Sequence, residues 1–402
     1  MKKFSWLSDN AKSSFPSKDF RSFDYNGHWQ KQFINHYLDE GFLHGFDKAT
    51  AKYSDYKDEH LPKSLYKFFP PTIYSLVGLE NRSLWLSTAN GFNDPFDSYV
   101  GLEMLTYIKT YVLKELKRRG LIATDATNDK LSQEEYWRLF NSHSKDEELG
   151  FLSRRKSFLS EWLSIVHQKS NNVYLTMNDL KSDAIRDCNQ KISAIRNAPF
   201  RITCFSNFAD DEELGKNTTM WSHYTDNHRG FCVKYSLNFS DSPIQSIIKC
   251  GLYKVIYSSK ISKASPREVM KLKYGEDYEL KVNAYLAKTI YRALITKAKF
   301  WNYEKEWRLI IGKENFNILN DGSISFPFIE SIYLGCKMEN VLKQHIVRFA
   351  DSNNISVYQA ERSSERFTLD FIRENGKNTG IDNKSLDMNA DHRTLLQTDC
   401  GL

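Results

Sequence analysis

The stretch "WNYEKEWRLII", Trp301–Ile311, decides how this chain is built. Read as a strand, its side chains alternate between two faces. Asn302, Glu304, Glu306 and Arg308 then share one face. Trp301, Tyr303, Trp307, Leu309 and Ile311 share the other, with Lys305 the only charge among them. The aromatic and aliphatic face belongs to a core. The polar face sets two carboxylates about 7 Å apart along the strand, beside an arginine. Carboxylates that close repel, and burial raises the pKa of one unless cations or a metal compensate. The competing reading is an exposed ladder whose charges pair across neighbouring strands and contribute little each.

Strand and helix patterns extend on both sides of this segment. Before it come "LYKFF", "LWLS", "RITCFSN", "FCVKY" and "GLYKVIYSS", which read as strands, and "TIYSLVGLEN", a short helix capped by Thr72. A long helix over "YELKVNAYLAKTIYRALITKAKF" leads into it. After it follow "FPFIESIYLG", a helix around "ENVLKQHIVRFA", and "ISVYQA". The expected fold is α+β, a mixed or antiparallel sheet core split by a helical insertion.

A chain of 402 residues is long enough for two or three units of about 150 residues, or for one core with insertions. The composition shifts give five segments: a helical N-terminal appendage (1–60), the first part of the core (61–102), the helical insertion (103–198), the second part of the core (199–371) and a polar tail (372–402). The insertion carries a capping box, Ser132 with Glu135, and an apolar helix face of Phe158, Leu159, Trp162, Leu163 and Val166.

The net charge of +6 is a mild surplus, compatible with an anionic ligand but without the dense Lys/Arg clustering of a nucleic-acid groove. Aromatic residues make up 14%, an excess that serves a core or the stacking of ligand rings. The six cysteines are scattered without C-x-x-C, so neither zinc nor a disulfide framework is expected. The N-terminus has no apolar signal core and no apolar run approaches the roughly 20 residues that span a bilayer. The expected location is the cytoplasm, away from membranes.

Two further segments carry polar groups that suit chemistry. The loop "GFNDPFDSY" holds Asn93, Asp94 and Asp97, which either build a turn on their own backbone or point into a site as metal or ribose ligands. "MWSHYTDNHRGFCVKY", Met220–Tyr235, crowds Trp221, His223, Tyr224 and His228 together. Its histidines are five apart and H-E-x-x-H is absent, which excludes a zincin. Either these groups form a satisfied polar corner, or Trp221 and Tyr224 wall an aromatic ligand while a histidine donates to phosphate or substrate. P-loop, Rossmann and nucleophile-elbow motifs are absent.

Taken in order, "LYKFF", "LWLSTANGFNDPFD", "ITCFSN", "MWSHYTDNHRGFCVKY", "YEKEWRLI", "IESIYLG" and "ISVYQA" resemble the bacterial domain-of-unknown-function family 2971, over about residues 61–360 apart from the insertion. That resemblance names no activity. It implies a bacterial cytoplasmic protein of mobile-element or defence-island type. A looser similarity is to the ADP-ribosyltransferase fold, whose members bind NAD in a cleft between two small sheets. A polar or basic residue on their first strand meets the nicotinamide ribose or phosphate, and a late strand supplies the glutamate.

By that resemblance Lys67 and Glu306 take those places, with Glu304 the first acid of E-x-E. Ser87, Asn93, Asp94, Trp221, Tyr224 and Arg308 then surround the NAD, with Phe92 as a further ring wall. Lys67 stands where that fold usually has His or Arg. The implied activity is ADP-ribosyl transfer to a nucleic-acid or protein acceptor, as an anti-phage defence or toxin effector, with His223 and His228 assisting catalysis. The first alternative is a metal-dependent nuclease or phosphoesterase with Asp94, Asp97, Glu304 and Glu306 as ligands. The second is a non-catalytic sensing module, in which the insertion and N-terminal arm contact a partner protein or a second copy.

Overall fold

The computed structural model describes residues 29–118, 177–196, 200–240, 242–272 and 283–375. Eight strands among them form one sheet: β1 (Ser64–Phe69), β2 (Phe200–Ser206), β3 (Phe231–Ser236), β4 (Leu252–Lys254), β5 (Glu306–Gly312), β6 (Ile329–Leu334), β7 (Ser356–Arg362) and β8 (Leu369–Arg373). Their order across the sheet is β4-β5-β2-β1-β3-β6-β7-β8. Neighbours run antiparallel except β6 and β7, which are joined by the helix Asn340–Ser352 as a crossover. The α+β expectation holds, with a sheet that is mixed and mostly antiparallel.

Alternation along each strand sorts the core. On one face Leu65, Phe205, Val233, Trp307, Leu309, Ile311, Ile332 and Val357 form one apolar cluster. The helices Pro243–Gly251 and Asn340–Ser352 cover it with Ile248, Ile346 and Ala350. The opposite face carries two clusters. Ile202, Tyr253 and Ile310 pack under the helices Trp29–His44, Phe46–Asp58 and Ala284–Leu294. Tyr66, Phe68, Cys232 and Tyr333 pack under the short helices Asp211–Lys216 and Thr218–Tyr224. Glu306 and Arg308 lie on this second face, and every residue of β5 is buried. The exposed-ladder reading of that strand is therefore excluded.

The sheet is nearly interrupted between β1 and β2. β1 pairs with β3 at six positions and β2 with β5 at seven, but β1 and β2 share a single pair, Tyr66 with Ser206. Further along β2, Ile202 exchanges two backbone hydrogen bonds of 2.8 Å with Ser87. Thr203–Phe205 between those two contacts face a gap. Strand alternation sends the N–H and carbonyl of Cys204 to the same side as those of Ile202. The carbonyl accepts from Lys67 Nζ at 3.0 Å. A lysine side chain thus stands where a strand partner would.

Several boundaries differ from the sequence reading. The helices Trp29–His44 and Phe46–Asp58 place Phe33, Ile34, Tyr37, Leu38 and Tyr53 in the same cluster as Ile202 and Ile310, so this part of the N-terminal segment is core and not an appendage. The long helix ends at Leu294. Thr296–Ala298 is a short strand, followed by a 3-10 turn, Lys299–Glu304. "GLYKVIYSS" splits into β4 and a second strand, Ile256–Ser258, which pairs with Thr296–Ala298 in a separate ribbon. Lys305 takes a left-handed backbone (φ 46°), so β5 begins only at Glu306. β8 crosses the expected start of the tail at 372.

The capping box, the apolar face around Trp162 and most of the insertion's expected partner surface lie outside the described residues. Helices Met104–Arg118 and Met177–Arg196 at its two ends pack together. No helix among the described residues is long and apolar enough to cross a membrane.

Lys57 is a costly member of the N-terminal core. Its Nζ is buried without a hydrogen-bond partner, 3.8 Å from the Tyr253 ring centroid and 4.3 Å from that of Phe33. Cation–π attraction offsets only part of the desolvation. Burial brings its pKa down to about 7. The unfolded chain keeps this proton up to about pH 10.5, so stability is lowest below pH 7 and rises from pH 7 to 10.5. Lys57→Met is expected to stabilise the fold at pH 7 by on the order of 1–4 kcal/mol. It is also expected to flatten that rise, as read from thermal midpoints at pH 7 and pH 9.5.

Candidate functional site

A cavity of about 270 Å³ occupies the gap between β1 and β2. Tyr66, Lys67 and Phe68 of β1 and Thr203–Ser206 of β2 form its strand walls. Ser87, Phe92, Asn93 and Asp97 come from the following loop, and Lys297, Glu304 and Glu306 from the segment leading into β5. Met220 and Tyr224 close one side, and Trp85 stands at the lip, 65% exposed.

Lys297 stands at the centre of the charges. Its ammonium lies 2.5 Å from Glu304 Oε2, 3.0 Å from Glu306 Oε2 and 3.6 Å from Asp97 Oδ2. Arg308, wholly buried, grips Asp97 with two parallel bonds of 2.8 and 2.7 Å and Glu306 through Nε at 2.7 Å. Its Nη1 also donates to the Leu294 carbonyl at 2.6 Å. Tyr224 donates to Glu304 Oε1 at 2.6 Å, and the Tyr257 hydroxyl accepts from the Glu306 N–H at 2.8 Å. Three carboxylates thus share two cations.

That imbalance separates the two glutamates. Burial, then the charge of Glu306, pushes Glu304 up to about 7, and Lys297 and Tyr224 offset only part of the rise. Glu306 is buried as well, which alone would raise it, but Arg308 and Lys297 hold it down to about 2. Burial works against the charge on Lys297 as well, yet Glu306 and Glu304 keep it protonated far above neutrality. The pair titrates as a unit, with the shared proton residing on Glu304. A carboxyl that exchanges its proton near neutrality beside one that stays ionised is suited to acid–base work.

The linkage to folding has opposite signs for the two. Glu306 contributes stability that is present above its ordinary value near 4.5 and is lost as pH falls toward 2. Glu304 holds its proton more tightly when folded, so stability falls as pH rises from 4.5 through about 7. The stability profile from this pair is expected to crest between these limits. Glu304→Gln is expected to remove the decline on the alkaline side, as followed by urea midpoints from pH 4.5 to 8.

Of the residues singled out from sequence, Lys67, Ser87, Phe92, Asn93, Tyr224, Glu304 and Glu306 line the cavity. Asp94 does not. Its oxygens accept from the Phe96 N–H at 2.9 Å and Trp301 Nε1 at 2.8 Å, so it shapes the loop and ties it to the 3-10 turn. Trp221 is fully buried, edge-on to Phe68 at 5.3 Å, with Nε1 donating to the Leu214 carbonyl. The expectation that it walls a ligand gives way to a core role. Arg308 is sealed beneath the carboxylates and does not line the cavity, so it meets no pyrophosphate there.

The histidines stand apart from the acids. His223 Nδ1 meets the Tyr303 hydroxyl at 3.3 Å on the outside of the site. His228 Nε2 pairs with Ser222 Oγ at 3.1 Å. Asp226, Asn227 and His228 run in left-handed conformation, with φ of 48°, 55° and 70°. The turn closes at Gly230, where a Cβ would lie 2.0 Å from the Phe69 carbonyl oxygen. Most of this histidine-rich stretch is thus a tight corner that feeds β3, with His228 Nδ1 buried and without a hydrogen-bond partner, and Tyr224 alone among its aromatics and histidines reaches the cavity wall.

Sequence reasoning missed Lys297, Tyr257, Tyr66 and Cys204. Lys297 falls within the expected long helix, although the β-branched Ile295 and Thr296 of "ALIT" favour a strand. The proposed four-carboxylate metal site takes a different form. Asp94 is turned away, and Asp97, Glu304 and Glu306 converge on the ammonium of Lys297 rather than on open space. Among the described residues no group of His, Cys, Asp and Glu side chains is arranged to hold a metal ion.

Residues 220–309 match a family described as a protein of unknown function, DUF2971. The match spans Tyr224, Lys297, both glutamates and Arg308, and bears out the family resemblance read from the sequence blocks. No curated protein and no solved structure matches the chain.

Proposed function

We propose that this DUF2971 chain is an ADP-ribosyltransferase-like enzyme that cleaves the nicotinamide–ribose bond of NAD in the gap between β1 and β2. The observation that carries the reading is that Lys67 of the first strand and Glu304 and Glu306 at the late strand line one cavity, the two acids shifted in opposite directions from their ordinary value. At about 270 Å³ the cavity is smaller than the roughly 300–1,000 Å³ of whole-ligand sites, so it takes the nicotinamide–ribose end. The remainder of the dinucleotide lies along the open mouth.

In this reading the nicotinamide leaves with the bonding electron pair and the ribose takes on positive charge. The ionised Glu306 faces that charge and the sugar hydroxyls. The acceptor's nucleophile forms the new bond to the ribose carbon and gives its proton to Glu304. Lys67, whose ammonium bonds the Cys204 carbonyl, supplies positive charge toward the phosphates. The cytoplasmic, bacterial and defence-effector expectations remain part of this proposal.

Calorimetric titration with NAD is the test, with nicotinamide release followed by chromatography. Binding is expected for the wild type and turnover is expected to vanish in Glu306→Gln. Failure of the wild type to bind NAD, with Mg²⁺-dependent cutting of DNA instead, would sink this reading.

A further inference from the structure

Glu304 ends a turn that is mostly aromatic. In Lys299–Glu304, "KFWNYE", Phe300 is 70% exposed and Trp301 and Tyr303 are half-buried. The rings form a connected row: Phe300 to Trp301 at 5.5 Å, Trp301 to Tyr303 at 6.0 Å, and His223 at 6.4 Å from both Trp301 and Tyr303. Trp301 is braced from below by Asp94 at 2.8 Å and by the Lys297 ammonium 4.9 Å from its ring centroid. Phe300 is thus the exposed end of a row whose inner rings are half-buried and braced, a rigid aromatic edge open to contact.

The charges on this shelf are sorted. Lys299 is exposed and Lys305 is paired with Glu213 at the surface, while Glu304 and Asp94 are turned inward and are only 2% and 9% exposed. Aromatic rings with the exposed cation of Lys299 beside them complement a base and its phosphodiester. An acidic or purely apolar protein surface would use only part of that arrangement.

We infer that the Phe300–Tyr303 shelf beside the cleft receives a base of single-stranded nucleic acid, the acceptor class for the reaction proposed above. The inference rests on that reading for the chemistry, but the binding surface is a separate structural feature. Bases stack on aromatic faces without sequence preference, and a strand has phosphates for Lys299. A duplex keeps its bases stacked on each other and has no face to offer.

The experiment uses the full chain and fluorescein-labelled 12-nucleotide single strands of mixed sequence, DNA and RNA, with a duplex of the same sequence as comparison. Anisotropy is expected to show tighter binding of a single strand than of duplex, weakening with salt. Phe300→Ala and Phe300→Leu are each expected to weaken it roughly tenfold, because leucine keeps apolar area but offers no stacking face. NAD titration of Phe300→Ala is expected to match wild type. NAD binding without oligonucleotide binding would overturn the shelf and leave the cleft standing. Full oligonucleotide affinity in Phe300→Leu would overturn stacking. Oligonucleotide binding without NAD binding would support the shelf and sink the cleft. Self-association through the shelf, relieved by Phe300→Ala and unaccompanied by strand binding, would assign the surface to a second copy and overturn the inference.

Discussion

Glu304→Gln is expected to lower turnover by about 10²–10⁴-fold while leaving NAD affinity within a few-fold of wild type. The substitution keeps the shape and still accepts from Tyr224, but it has no proton to exchange. In the wild type, the rate is expected to rise with pH as Glu304 loses its proton near 7, because the acceptor's proton then has a base to receive it. In the variant that limb disappears. Rate–pH profiles under saturating NAD are the measurement, and an unchanged limb near neutrality would assign the titration to another group. Tyr224→Phe offers a graded companion. It removes the 2.6 Å donor to Glu304, so the limb is expected to move to higher pH without vanishing.

The second large effect is on Lys297. Lys297→Met withdraws the central cation from Asp97, Glu304 and Glu306 and leaves Arg308 to balance three acids. Breaking a buried pair from one side costs about 3–5 kcal/mol, which in a chain of this size lowers the thermal midpoint by about 4–6 °C. Lys297→Ala carries a sharper consequence. It empties a point with carboxylate oxygens 2.5, 3.0 and 3.6 Å away, so millimolar Mg²⁺ or Ca²⁺ is expected to raise the midpoint of this variant and not of wild type. A variant indifferent to both ions would show that the carboxylates relax apart once the ammonium is gone.

Much of the sheet was legible because period-two alternation is a local signal. β1, β2, β3, β6 and β7 fall where their alternating apolar residues put them, and Thr72 caps its helix as its hydroxyl suggests, accepting from the Ser75 N–H. β5 was legible only from Glu306 onward. Lys305 breaks the alternation with a left-handed residue, which nothing in "YEKEW" announces. Glu304 nevertheless meets Glu306, because the 3-10 turn swings it back toward the ammonium of Lys297.

The site was legible in its acids and not in its cation. A pair of glutamates two apart stands out in a sequence. Lys297, Tyr257 and Asp97 reach them from separate segments, and only tertiary packing brings these together. Trp221 and the two histidines misled for the converse reason: residue types common in active sites serve the core (Trp221), the outside of a helix (His223) and a tight turn (His228).

The single rung between β1 and β2 makes Cys204 an interior residue whose amide behaves like one at the rim of a sheet. Its exchange with deuterium is therefore open to whatever enters the gap, while amides one strand away in β3 and β5 stay locked. A bound ligand would act as the missing length of strand, and the protein would become most rigid only when it holds what it acts on. The molecule carries an unfinished seam through its middle, which a bound ligand would close.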